Sequence, residues 1–297
     1  MSEAGTLYLI PTPLGSDSDP HAALPAATLA AVAPLDCYVV ENAKTARAFL
    51  KAAGTVQPLQ ALEMHELSEH TPIEALPGLL APLLAGRDVG LMSEAGCPAV
   101  ADPGARLVEA AHAAGIRVVP LIGPSSLLLA LMASGLEGQR FAFAGYLPAQ
   151  ADARAARLRE LERRSAAGDE TQLWIETPYR NRQVFETALT VLAPSTRLLV
   201  AARLSLAGES IATRTIHAWR AAAPELGREP TVFGLLAERR TLQGSPGATG
   251  DARRREPGAD GPKTGLARGG SAKRGPAKSQ HRGPDPSRRA RGGRRSG

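Results

Sequence analysis

Over the first 122 residues, short apolar runs alternate with longer stretches in which apolar residues recur at helical spacing. Four of these runs are bounded by glycine, proline or charge, as is typical of buried strands: Thr6–Ile10, Cys37–Glu41, Asp88–Met92 and Arg117–Leu121. The stretches around them predict helices at Leu24–Ala33, Ala43–Ala53, Ile73–Ala85 and Pro103–Ala114. Because strand and helix alternate, we expect a mainly parallel sheet with helices on both faces.

From residue 123 to residue 239 the pattern is richer in β structure. It predicts strands at Phe141–Gly145, Thr171–Glu176, Arg197–Arg203, Glu209–Arg214 and Pro230–Ala237. Helices are predicted at Ser125–Ser134, Ala151–Ala166, Tyr179–Leu192 and Ile216–Ala222. Several of these strands follow one another without a long helix between them, so the second sheet is expected to be mixed. The sequence therefore predicts an α/β body of two domains, residues 1–122 and 123–239.

The last part of the chain, residues 240–297, has a different composition. Gly, Pro, Ser, Arg and Lys dominate it, and large apolar residues almost vanish, so we expect a disordered tail. From Gly244 onward, 14 basic residues face 4 acidic ones, a net charge of +10. The whole chain carries +6, so the body is mildly acidic, with a net charge of −4. Such a tail can raise nonspecific affinity for RNA through counterion release.

Cysteine usage, histidine spacing and hydropathy limit the class of protein. Cys37 and Cys97 are too few for a disulfide framework, which favours a reducing compartment. No apolar run approaches the roughly 20 residues of a membrane span, and no secretory signal is evident. The pair His65 and His70 is spaced by five residues rather than by the four of a helical zinc motif. We therefore expect a soluble, cytoplasmic protein without a bound metal.

Three loops within the first 126 residues follow predicted strands and contain glycine and proline, at residues 10–15, 92–104 and 120–126. Ligands of open α/β sheets bind at the carboxyl ends of the strands, so each loop is a candidate binding segment. Pro11 and Pro13 stiffen the first loop, and Gly15 permits close backbone approach, although a plain strand-to-helix turn explains them equally well. The dinucleotide fingerprint GxGxxG is absent, which argues against a standard Rossmann site.

The polar side chains in these loops could bind a ligand or could have only a structural role. Glu94 could contact a polar or cationic ligand group, or it could be a solvated loop acid. Asp102 precedes Pro103 and is expected to cap the following helix. Ser125 and Ser126 stand at a predicted helix N-terminus, which suits a carboxylate or phosphate, but serine is also an ordinary N-cap.

Two further strand ends carry polar groups. Glu176 and Thr177 end a strand of the second half, directly before Pro178. Lys44 and Arg47 follow the strand that ends at Glu41 and share one helical face. They could contact phosphates, although a solvated helix face is the simpler interpretation.

These segments, taken in order, resemble the tetrapyrrole methylase superfamily, and within it the ribosomal small-subunit RNA cytidine 2′-O-methyltransferases. The matching residues are LYLIPTPLG at 7–15, SEAGCPAVADPG at 93–104, VVPLIGPSSLLLALMASGL at 118–136, FAFAGYLP at 141–148 and ETPYRN at 176–181. The resemblance covers about residues 5–238. It implies two α/β domains that bind S-adenosylmethionine in the cleft between them, and a homodimer.

By the same resemblance, both halves would supply residues to the cofactor site. Those of the first half, with the start of the second, are Pro11, Pro13, Gly15, Glu94, Ala95, Gly96, Val100, Ala101, Ser125 and Ser126. Glu176, Thr177, Ala207 and Thr231 would lie near the adenosine.

The chain departs from the RNA-modifying relatives where a substrate would be handled. They usually read Glu-Asp-Thr-Arg at the positions of residues 41–44, which are Glu-Asn-Ala-Lys here. Their Ser-Pro-His-Arg is Thr-Pro-Tyr-Arg at residues 177–180. The resemblance therefore implies cofactor binding more directly than it implies one RNA target.

The leading hypothesis is a methyltransferase of RNA that acts on a ribose hydroxyl of ribosomal RNA. Glu41 and Lys44 are the catalytic candidates, because a fixed general base helps to deprotonate a hydroxyl. One alternative is methylation of a tetrapyrrole or another small molecule. The other is a non-catalytic protein that binds RNA or the ribosome.

Overall fold

The computed structural model describes residues 3–16 and 18–238. The predicted disordered tail, residues 240–297, lies outside the described residues. The described residues belong to one compact unit that holds two five-stranded sheets. The domain boundary between residues 122 and 123 therefore stays a prediction, although each predicted half contains one sheet.

The first sheet is parallel throughout, with the strand order β3-β2-β4-β1-β5. Its strands are β1 (Thr6–Ile10), β2 (Cys37–Val40), β3 (Glu63–Glu66), β4 (Val89–Met92) and β5 (Arg117–Pro120). The helices of this half are α1 (Pro20–Ala23), α2 (Ala26–Val32), α3 (Ala43–Ala53), α4 (Leu76–Leu84) and α5 (Gly104–Ala113). Every residue of β2 and β4 is buried, because helices cover both faces of a parallel sheet.

Two details of this half differ from the sequence prediction. Strand β3 was not predicted, because its sequence Glu-Met-His-Glu is polar and it lies at the sheet edge. The predicted helix Leu24–Ala33 corresponds to α2 alone, and the short helix α1 directly before it was not predicted. Pro25 is the N-cap residue of α2, and Leu24 before it is extended, as expected for a residue that precedes proline.

The second sheet is mixed, with the order β6-β7-β10-β8-β9. Its strands are β6 (Phe141–Tyr146), β7 (Thr171–Glu176), β8 (Arg197–Ala202), β9 (Ser210–Thr215) and β10 (Thr231–Leu236). Only β6 and β7 pair in parallel, while the other neighbours are antiparallel. The helices are α6 (Ser126–Ser134), α7 (Ala151–Gly168), α8 (Asn181–Val191) and α9 (Ile216–Ala221). The prediction of a parallel sheet followed by a mixed one is confirmed.

Two apolar clusters cover opposite faces of the second sheet, because successive strand residues point to opposite sides. Trp174 and Phe233 stack at 5.6 Å on the face covered by α7, α8 and α9. Leu173 and Val232, one position away on the same strands, pack with α6 on the other face. Leu14, from the loop after β1, also packs into this second cluster. The first half of the chain therefore reaches into the core of the second.

Gly90, in the middle of β4, gives the sharpest test of the packing in the first sheet. A Cβ atom at this position would lie 2.5 Å from Ile10 Cδ1 and 2.9 Å from Tyr38 Cδ1. We expect Gly90→Ala to lower the free energy of unfolding by about 1–3 kcal/mol through overpacking.

The matched control is Gly78→Ala, in the exposed interior of α4, where an added Cβ meets no atom within 4 Å. This control should stabilise the protein by up to about 1 kcal/mol, because alanine favours helix. Urea unfolding of both variants measures the difference. Equal stabilities would contradict the described packing around Gly90.

Candidate functional site

A cavity of about 450 Å³ lies where strand ends of the two sheets face each other. Its volume is within the usual range for a small-molecule site. The first sheet contributes the loop after β4 and Glu41 after β2, both at the carboxyl ends of parallel strands. The second sheet contributes β6, the end of β7 and the start of β10. The start of α6 also lines it, as do Leu14 after β1 and Arg203, Leu204 and Leu206 after β8.

Backbone hydrogen bonds join the loops that follow β1 and β4. Thr12 N–H donates to Gly96 O at 2.9 Å, and Gly96 N–H donates to Thr12 O at 3.1 Å. Thr12 Oγ1 also lies 3.4 Å from Ser93 O. This isolated bridge fixes the floor of the cavity against the first sheet.

The loop after β4 is held in a sparsely populated backbone conformation. Ala99 and Ala101 have φ angles of 66° and 58°, which are unusual for residues with a side chain. Asp102 Oδ1 accepts hydrogen bonds from Ala99 N–H at 3.2 Å and Gly104 N–H at 2.6 Å, and so restrains the strained turn. Asp102 thus binds the N–H of the first residue of α5, in keeping with the capping role expected of it. Local strain of this kind is concentrated at functional sites.

The two serines at the start of α6 do not act as ordinary caps. Ser125 is the N-cap residue and has an extended backbone, but its side chain makes no capping hydrogen bond. Ser125 and Ser126 both line the cavity. Their position leaves the positive end of the helix dipole facing the cavity, which favours an anionic ligand group.

Acidic groups dominate the charge of the first-sheet side of the cavity. Glu41 Oε2 accepts a hydrogen bond from Glu94 N–H at 3.2 Å. Burial raises the pKa of the Glu41 carboxyl, and this hydrogen bond opposes the rise. The nearby charges of Asp102, Glu94 and Glu69 raise it further. A cationic ligand would relieve this repulsion.

On the second-sheet side, Glu176 is buried with an unsatisfied oxygen. Its Oε1 accepts a hydrogen bond from Thr177 N–H at 2.8 Å. Its Oε2 lies 3.3 Å from Arg180 Nη2 but makes no hydrogen bond with suitable geometry. The phenol of Tyr146, which lines the same cavity, has its pKa raised by burial and by the charges of Glu176 and Glu41.

A bulge in β6 brings two aromatic side chains to the cavity. Phe143 and Tyr146 both line it, although residues three apart on a regular strand point to opposite faces. The register of β6 against β7 shifts between them, and Gly145 has a φ angle of 71°. The extra residue of the bulge therefore turns both rings to the same side.

Most of the chain, including both loops that form the floor of the cavity, matches one protein family. The model described as Tetrapyrrole (Corrin/Porphyrin) Methylases matches residues 6–218, which include both sheets up to β9. The chain belongs to the tetrapyrrole methylase family. This methylase is thus a methyltransferase, as predicted, and its family implies S-adenosylmethionine as the methyl donor.

Relatives with similar sequences bear one name. A protein of Xylella fastidiosa Temecula1 is 38% identical over 205 residues, which cover 68% of this chain and 69% of the relative. One of Escherichia coli O157:H7 is 34% identical over 207 residues, which cover 70% and 68% respectively. Each is named Ribosomal RNA small subunit methyltransferase I.

Two solved structures share the fold of the methylase. The methyltransferase CobJ superposes with a TM-score of 0.52 at 22% identity, covering 80% of this chain and 95% of its own. A conserved hypothetical protein from Aeropyrum pernix K1 gives a TM-score of 0.55 at 18% identity, covering 81% and 92%.

The structure brings most of the predicted cofactor residues together. Ten of them line the cavity: Glu94, Ala95, Gly96, Val100, Ala101, Ser125, Ser126, Glu176, Thr177 and Thr231. Pro11, Pro13, Gly15 and Ala207 do not line it, although Pro13 and Gly15 flank the lining residue Leu14 and Ala207 follows the lining residue Leu206. Gly15 permits the close approach of Leu206, since a Cβ there would lie 2.8 Å from both Leu206 methyl carbons.

The two predicted catalytic residues differ in their relation to the cavity. Glu41 lines the cavity, whereas Lys44 is exposed in the first turn of α3 and does not line it. Sequence reasoning did not select Phe143, Tyr146, Arg203 or Leu206, which also line the cavity. Phe143 and Tyr146 belong to the FAFAGYLP match, and its Gly145 was the available signal of a bulge.

Among the described residues, one group of potential metal ligands is found away from the cavity. Cys37, Glu63 and His65 place ligand atoms within 4.8 Å of one another. Glu63 already binds Arg87 at 2.6 Å and His65 at 2.8 Å, and burial raises the pKa of the Cys37 thiol to about 11. His65 lies on strand β3, so the helical geometry behind the zinc comparison does not apply. The absence of a metal stays a prediction.

Within residues 3–16 and 18–238, no helix combines the length and apolar character that a membrane crossing requires.

Glu41→Gln tests the electrostatics of the cavity. Because the folded-state pKa of Glu41 is raised, wild-type stability falls as pH rises from the ordinary glutamate pKa through the raised value. The glutamine variant lacks this loss and retains an acceptor for Glu94 N–H. We therefore expect the two proteins to be similar in stability at acidic pH and the variant to be more stable at neutral pH.

Thermal unfolding as a function of pH measures this difference. A variant that is less stable than wild type at pH 7 would show that the Glu41 charge stabilises the fold there.

Proposed function

We propose that this methylase transfers a methyl group from S-adenosylmethionine to a ribose 2′-hydroxyl of ribosomal RNA. The observation that carries the proposal is the cavity between the sheets, with its acidic side, its helix N-terminus and its apolar walls. The relatives named Ribosomal RNA small subunit methyltransferase I favour RNA over a tetrapyrrole as the acceptor.

The lining of the cavity fits the chemical parts of the donor. The carboxylates of Glu41 and Glu94 suit its positive sulfonium, and the α6 N-terminus with Ser125 and Ser126 suits its carboxylate. The unsatisfied Glu176 Oε2 suits a hydroxyl or amino group of the adenosine. Val100, Ala101, Thr177 and Thr231 supply the walls, and the roles of Pro11, Pro13, Gly15 and Ala207 at the donor stay predictions.

When bound, the donor supplies an electrophilic methyl carbon. The protein orients the acceptor hydroxyl for in-line attack and removes its proton. Glu41 is the candidate base, because its carboxylate lines the cavity and its raised pKa makes it a stronger base than an exposed glutamate. Lys44 is exposed and outside the lining, so no step is assigned to it.

Gly96→Arg tests the cavity as the donor site. The side chain would project next to Leu14 and Pro124 O and fill the floor of the cavity. We expect titration calorimetry to show affinity for S-adenosylmethionine reduced by at least about tenfold, or 1.4 kcal/mol.

The control is Gly54→Arg. Gly54 also has a positive φ, 85°, but an added Cβ there meets no atom within 4 Å. Both variants therefore carry the same kind of backbone strain, and only the first one blocks the cavity. The donor should bind the control as it binds wild type. Unchanged affinity in Gly96→Arg would place the donor elsewhere.

Methyl transfer to small-subunit ribosomal RNA tests the acceptor. RNA from cells that lack the gene, incubated with the protein and labelled donor, should gain a 2′-O-methyl group that nucleoside mass spectrometry identifies. Glu41→Gln should lower the rate at saturating donor concentration by about 10²–10⁴-fold, as expected for loss of a general base.

Other outcomes of this assay support the alternatives. Transfer to a tetrapyrrole but not to RNA would support the hypothesis that the enzyme methylates a small molecule. RNA binding without any transfer would support a non-catalytic role.

The methylase is further proposed to be a homodimer, with α6 at the interface. This helix is apolar on all sides, and Ile122, Leu128 and Met132 at and beside it are exposed, with Met132 80% exposed. Such a face is typical of a protein–protein contact. Light scattering should give twice the monomer mass, and Met132→Glu should shift it to that of the monomer.

A further inference from the structure

An exposed aromatic ring stands directly beside the cavity. Tyr179 follows Pro178, which lines the cavity, and is 75% exposed. The guanidinium carbon of Arg228 lies 4.9 Å from the centre of its ring. Arg228 is itself only two residues before Pro230, another lining residue. The ring and the guanidinium thus extend the rim of the cavity outward.

Hydrogen bonds of Asn181 join the segment that carries Tyr179 to the segment that carries Arg228. Asn181, 1% exposed, donates through Nδ2 to Glu229 O at 2.6 Å and to Thr231 Oγ1 at 3.1 Å. Arg180 donates through Nη2 to Leu147 O and Pro148 O, both at 2.9 Å. The residues next to Tyr179 and Arg228 are therefore anchored, although both side chains face solvent.

The charge of Arg228 is available to a ligand. Among the described residues no carboxylate oxygen lies within 4.0 Å of its guanidinium, whereas Arg203 is paired with Glu229 at 2.9 Å. The contact between Arg228 and Tyr179 is worth only about 0.5–1 kcal/mol at an exposed site. This contact therefore stabilises the fold too little to explain why Tyr179 is exposed and why Arg228, within the described part of the chain, lacks an acidic partner at the rim of the cavity.

We propose that Tyr179 and Arg228 form a platform on which an unpaired base of the RNA substrate stacks. The inference rests on the proposed RNA methylation and adds the residues that position the acceptor. Single-stranded RNA is recognised by stacking of bases on aromatic rings and guanidinium planes. A base held here places the adjoining ribose at the entrance to the cavity, so unpaired RNA is favoured over a duplex.

The test uses the full chain and a single-stranded RNA oligonucleotide carrying a fluorophore, with the matching duplex as a second probe. Tyr179→Ala should weaken binding of the single strand by about tenfold, as expected for loss of one stacking contact, while duplex binding changes little. Tyr179→Phe keeps the ring and should bind like wild type. Arg228→Gln should weaken binding and reduce its salt dependence.

The matched control is Arg182→Gln, which removes an exposed arginine on the neighbouring helix α8 that pairs with Glu186. It should bind the single strand like wild type. Donor affinity, measured by calorimetry, should be unchanged in all four variants, because none of the altered residues lines the cavity.

The binding measurement separates this inference from the proposed function. Wild-type affinity in Tyr179→Ala would overturn the platform, even if RNA is methylated. Weakened single-strand binding in a protein that methylates no RNA would support the platform and contradict the proposed reaction. In an active enzyme, Tyr179→Ala should raise KM for RNA with little change in kcat.

Discussion

The two hydrogen bonds between Thr12 and Gly96 fix the geometry on which the rest of the site depends. They tie the loop after β1 to the loop after β4, so that two strand ends of the first sheet act as one surface. Leu14, two residues further on, packs into the apolar cluster beneath α6. The same short loop therefore links the first sheet to the core of the second and contributes Leu14 to the lining of the cavity between them.

Charge is distributed unevenly around that cavity. On the first-sheet side, burial of Glu41 and the negative charges of Asp102 and Glu94 disfavour the ionised form of Glu41 unless a positive partner is present. The start of α6, whose N-cap serine makes no capping bond, is complementary to negative charge. A ligand with both a cation and a carboxylate satisfies both features, which is why the donor and this cavity suit each other chemically.

Much of the fold follows from local patterns in the sequence. Apolar runs such as Val89–Met92 identify buried strands, and the glycine- and proline-containing loops after β1 and β4 identify the cavity floor. Strand β3 was not predicted. An edge strand buries little surface and needs few apolar residues, so the sequence Glu-Met-His-Glu shows no strand pattern.

The finer arrangement of the site depends on long-range contacts. The Thr12–Gly96 bridge joins residues 84 positions apart, and no local pattern indicates it. The bulge at Gly145, which turns both Phe143 and Tyr146 toward the cavity, depends on pairing with β7. Lys44 is only three positions from Glu41 along the chain, but its exposed side chain does not line the cavity, so its catalytic role stays a prediction.

The central claim is that the methyl donor occupies the cavity between the two sheets. Hydrogen exchange with and without S-adenosylhomocysteine, the demethylated donor, tests it most directly. The account predicts slower exchange in peptides covering residues 93–102, 125–127 and 175–177, which come from both halves of the chain. Slower exchange confined to segments outside the cavity lining, or no change on addition of the compound, would contradict it.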